Sequence, residues 1–127
     1  MTGREVYNRA VSFLIEPPEQ DGDFLSAALE LINAGIAELS ETQKSRCLHR
    51  NEPYIEAKIQ SLEEEIKLDL PLCHLLSIYL ASNFLRDDLN DAASERFYTR
   101  FTQGKERLKQ TCAYEITDVY GGDQDAN

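Results

Sequence analysis

Positive charge is scarce in this chain. It has 13 lysines and arginines against 23 aspartates and glutamates, a formal net charge of -10 and a sequence pI near 4.6. A protein that grips nucleic acid non-specifically needs a dense basic patch to displace counterions, and no such cluster stands out. A like-charged wall that surrounds DNA without holding it stays compatible with this balance. Cysteine is also sparse: Cys47, Cys73 and Cys112 are odd in number and lack framework spacing. The first ten residues carry Arg4, Glu5 and Arg9 and no apolar signal-like stretch. Both features point to a reducing, cytosolic folding compartment. Long apolar runs are absent too. Leu70 to Leu85 holds no charge with His74 neutral, but it spans about 16 positions where a membrane helix needs ~20, and it contains Pro71, Ser77, Ser82 and Asn83. It reads as a buried helix.

The vocabulary of catalysis is missing as well. There is no Gly-x-Ser-x-Gly elbow, no glycine-rich phosphate loop, and no cysteine in a recognisable catalytic context. Gly121-Gly122 opens no helix. Cys47 with His49 and Cys73 with His74 form a zinc-like inventory, but consecutive helical residues diverge by about 100° and no Cys-x-x-Cys occurs. Buried thiols and ordinary histidines are the better reading. Two acidic pairs, Glu38 with Glu41 and Asp88 with Asp91, sit near helix ends. All-α nucleotide pyrophosphohydrolases hold magnesium with pairs of this kind. The basic cluster for a triphosphate is missing, and turn formation with capping accounts for Asp87 to Asp91. The expectation is therefore a non-enzyme with no catalytic residues, metal or cofactor. A magnesium-dependent hydrolase using Glu38, Glu41, Asp88 and Asp91 is one alternative. A helical regulatory protein that binds a protein partner is another.

What is present is helical periodicity. At 127 residues with 42% hydrophobic and 28% charged, the chain suits one globular domain with a modest core. Thr2 and Glu5 form a capping-box pattern for a first helix from Gly3 to Ile15, stopped by Pro17 and Pro18. Leu25, Leu29, Ile32, Ile36 and Leu39 mark a second helix from Asp23 to Leu39, where Gly35 would let a neighbour approach closely. The spacing of Ile55, Ile59, Leu62 and Ile66 predicts a third. The apolar stretch from Pro71 to Leu85 predicts a fourth, apolar nearly all round and so either central or covered by another subunit. The turn Asp87, Asp88, Asn90 and Asp91 separates it from a fifth helix, Ala92 to Thr111, with Asn90 or Asp91 as N-cap and Gly104 as a weak point. The result is an all-α bundle of four to five helices over residues 1–113, followed by an extended C-terminal tail, 114–127. Tyr114, Ile116, Asp118, Val119 and Tyr120 on that tail are the candidate partner-binding residues, suited to a partner's sheet edge or groove. Folding back on its own helices is the competing reading.

Three stretches also carry a likeness. They are Thr2 to Ala10 with Leu31 to Leu39; the leucine-rich helix leading into Asn83-Phe84-Leu85-Arg86-Asp87-Asp88-Leu89-Asn90; and Phe97 to Phe101 with Ile116 to Gly121. In helix order and pattern the chain resembles the small all-α head–tail connector (adaptor or head-completion) proteins of tailed bacteriophages, encoded by phages and prophages. The resemblance implies a structural protein made in the host bacterial cytoplasm and located at the virion neck. Its implied partners are the portal protein, tail-side neck proteins and further copies of itself in a ring. DNA would pass through that ring without sequence-specific binding, and no membrane is involved.

Overall fold

A computed structural model describes residues 1–14, 22–87 and 89–125, with side chains left out at 22, 23, 87 and from 111 onward. Four helices, α1 (Gly3–Ser12), α2 (Gly22–His49), α3 (Leu70–Asp87) and α4 (Asp91–Asp125), make an all-α bundle. The capping box forms as expected. Thr2 Oγ1 accepts from the Glu5 amide at 3.1 Å, and Glu5 Oε1 accepts from the Thr2 amide at 3.2 Å. No helix is long and apolar enough to cross a membrane among the described residues.

α3 is the centre. Leu72, Leu76, Leu80 and Phe84 are fully buried, and so are Cys73, Ser77, Ala81 and Ser82 on the adjoining faces. That resolves its uncharged sequence in favour of a helix enclosed by its own chain. Each large apolar side chain buried this way contributes roughly 1.5–3 kcal/mol. Phe24 stacks on Phe84 with ring centroids 4.5 Å apart, and Tyr7 meets the same ring edge-on at 6.0 Å. Gly35 admits α3 closely: a Cβ there would lie 2.4 Å from Leu76 Cδ1 and 2.8 Å from Tyr79 Cδ1. Gly104 does the same for Leu75, whose Cδ2 lies 2.5 Å from the position a Cβ would take. The expected weak point of α4 is thus a packing notch.

Two expectations need correction. α2 does not end at Leu39 but runs to His49, because the polar stretch after Ser40 still offers a buried stripe at Thr42, Gln43 and Cys47. The third predicted helix, Ile55 to Ile66, does not exist. Ala57 and Ile59 are buried between exposed Glu56, Lys58 and Gln60, and Ile66 and Leu68 are buried around exposed Lys67. That is the two-residue period of extended chain, while Ile55 itself is 55% exposed. Asn33 of α2 pins the segment like a neighbouring strand. Its Nδ2 donates to the Ile59 carbonyl at 2.8 Å, and its Oδ1 accepts from the Ile59 amide at 2.9 Å. An antiparallel bridge between Thr2 and Glu65 ties the N-terminus to the same segment.

The segment re-enters the bundle at Asp69. Its carboxylate accepts from Arg46 Nε at 2.6 Å, from both Arg50 terminal nitrogens at 2.6 and 3.0 Å, and from Gln43 Nε2 at 3.3 Å. The Asp69 amide donates to Gln43 Oε1 at 2.9 Å. Hydrogen bonds from Arg50, opposed by burial and reinforced by Arg46 and Gln43, hold the Asp69 pKa at about 2.

Candidate docking surface

The acidic turn between α3 and α4 is a fixed corner. The Asn90 amide donates to the Leu85 carbonyl at 2.9 Å, and the Leu89 amide to the Arg86 carbonyl at 3.0 Å. This is the Schellman pattern, with Leu89 in the left-handed position at φ 60°. The end of α2 closes the same way. Glu52 donates to Cys47 at 2.9 Å and Asn51 to Leu48 at 3.1 Å, with Asn51 at φ 57°. Asparagine tolerates that conformation; leucine pays about 1–2 kcal/mol for it. Leu89 is nevertheless 87% exposed, so no burial offsets the strain.

Below the corner α3 and α4 are clasped by two serines. Ser82 Oγ donates to the Ser94 carbonyl at 2.9 Å, and Ser94 Oγ donates to the Ser82 carbonyl at 2.8 Å. Both residues are buried. Beside them Arg86, Asp91, Ser94, Glu95, Tyr98 and Thr99 line an open cleft of about 360 Å³. Tyr98 is 40% exposed at its wall, and its ring lies 6.0 Å from that of the buried Phe101. The corner therefore presents a rigid apolar tip, a half-exposed tyrosine and a polar rim, which is the make-up of a docking surface.

Of the expected turn residues, Asn90 opens α4 by accepting from the Ser94 amide at 3.0 Å, and Asp91 lines the cleft. Asp88 and the side chain of Asp87 lie outside the described residues. So do the side chains of the partner-binding set Tyr114, Ile116, Asp118, Val119 and Tyr120. The backbone of α4 carries through that stretch to Asp125, and Leu108 is its last described residue packed on the core. Of the acidic pairs, Glu38 sits 3.6 Å from Lys105 Nζ, and among the described residues no three His, Cys, Asp or Glu stand together to share an ion. Burial raises the Cys73 pKa, so that thiol stays protonated, and its Sγ donates to the Leu68 carbonyl. His74 is half-buried, and its Nδ1 has no hydrogen-bond partner. Burial, followed by the nearby Arg9 and the N-terminal amine, lowers its pKa. Leu89 and the serine clasp escaped the sequence reading, since an exposed leucine and two scattered serines carry no periodic signal.

No family model, no curated protein and no solved structure matches this chain.

Proposed function

We propose that the chain is a non-enzymatic virion structural protein, a ring-forming head–tail connector that joins the phage portal to the tail. The resemblance in helix order gives the class. The observation that favours it is the α3–α4 corner: an exposed leucine kept in a strained backbone at a rigid tip serves contact better than stability. In this reading the corner and the α4 segment beyond Leu108 face neighbours, and assembly is the whole of the mechanism. The test is to mix the protein with the portal encoded by the same genome and view the product by negative-stain electron microscopy. Ring-shaped density added to one portal face is the expected result. Bare portals beside free protein would remove the reading, and magnesium-dependent pyrophosphate release would then be assayed.

A further inference from the structure

The extended segment between α2 and α3 has one edge engaged and one edge open. Successive residues of an extended chain aim their N–H and C=O groups at alternate edges. Ile59 directs both of its groups at Asn33 of α2. Its odd-numbered neighbours therefore face that helix, and Glu56 and Lys58 face away from it. Among the described residues no hydrogen bond reaches the amide or carbonyl of Glu56 or Lys58. Both residues are exposed, so these groups stand in water. Pro53, which has no N–H, bounds the open stretch on one side. On the other, the Gln60 amide donates to Glu64 Oε2 at 3.3 Å. The side chains are as open as the backbone: among the described residues no ion pair engages Glu56 or Lys58.

An open edge is a template for another strand, and a lone charge on it would ordinarily repel one. Here the run Ile55-Glu56-Ala57-Lys58-Ile59 is complementary to itself when reversed, with basic meeting acidic on either side of the central alanine. An antiparallel pair centred on Ala57 sets Glu56 opposite Lys58 of a second copy, and two-fold symmetry repeats the match. These are the residues whose backbone groups face the shared edge, so each pair also exchanges N–H···O=C bonds in both directions. The register is self-selecting. A slip of one residue puts the backbone groups out of phase, and a slip of two sets Glu56 on Glu56 or Lys58 on Lys58. The same register brings Ile55, 55% exposed in the single chain, beside Ile59 of the second copy. An unrelated extended peptide is offered only the backbone groups. A second copy matches backbone, charge and the exposed isoleucine at once.

We propose that the open edge of residues 55–59 pairs antiparallel with the same edge of a second copy of this chain, centred on Ala57, to form a two-fold dimer. The inference stands apart from the connector reading, and its test uses no portal. The full chain is studied in about 0.15 M salt, which screens the repulsion between two chains of net charge -10. Sedimentation equilibrium from micromolar to millimolar concentration should show a monomer passing to a dimer. Amide hydrogen exchange followed by NMR over the same range should show Glu56 and Lys58 gaining roughly tenfold protection or more. The Ile59 amide, already held by Asn33, should change little. Glu56→Lys sets lysine on lysine and Lys58→Glu sets glutamate on glutamate, so each alone should weaken the dimer roughly tenfold. Mixing those two variants should yield a heterodimer, and both substitutions in one chain should restore self-association. Both positions are exposed, and circular dichroism confirms that each variant is folded. A wild-type chain that stays monomeric at millimolar concentration would overturn the proposal. So would a dimer indifferent to the reversals, or one in which the Glu56 and Lys58 amides stay unprotected.

Discussion

Leu89 sets two properties of the molecule against each other. Glycine at this position would adopt φ 60° without a Cβ clash. Leu89→Gly should therefore raise stability by about 1 kcal/mol in urea titrations. Under the connector reading the same change should weaken portal binding, measured by co-sedimentation. A variant that is both more stable and undiminished in binding would remove the corner from the proposed interface. Asn33 is the opposite case, a polar residue whose value is structural. Asn33→Ala leaves the amide and carbonyl of Ile59 without their partners in a part-buried setting. It should cost about 1–3 kcal/mol, read from the same titrations. Sequence alone shows Asn33 only as an interruption in a good helix former. Its partner lies 26 positions away, and nothing local announces it.

The elements divide by how local their cause is. α1, α3 and the start of α4 follow from a capping box, an uncharged run and a turn, all visible within a few neighbouring residues. The extended segment between α2 and α3 does not. Ile55, Ile59, Leu62 and Ile66 mimic helical spacing, while the chain is held extended by Asn33, by the Thr2–Glu65 bridge and by Asp69 at its end. The continuation of α2 past Ser40 is hidden for a similar reason. Its buried residues Thr42 and Gln43 are polar, and the partner that makes Gln43 acceptable inside, Asp69, is distant in sequence. At this scale the clasp offers a test. Ser94→Ala removes the donor to the Ser82 carbonyl, a buried hydrogen bond between α3 and α4. A loss of about 1 kcal/mol is expected from the urea midpoint.

For the whole molecule, on the acid side of neutrality, His74 and Asp69 give stability a pH dependence with two descending steps. His74 has a lowered folded pKa, so its contribution is intact above its ordinary value of 6.5 and is lost as pH falls through the lower folded value. Asp69 is depressed from 3.8 to about 2, so its contribution is intact above 3.8 and disappears as pH falls through about 2. Unfolding midpoints measured across pH should fall in that order, with His74→Gln abolishing the upper step and Asp69→Asn the lower. A single descent unaffected by either change would contradict the assignment. All-α class, the central helix and the corner could be read from the sequence, because charge and periodicity report burial directly. The serine clasp has one more consequence, in time. Its partners are 12 residues apart, so closing it orders very little chain. The α3–α4 hairpin is the cheapest tertiary contact for the collapsing chain to find. Folding would then start there, with α1 the last piece to dock and the first to let go in hydrogen exchange.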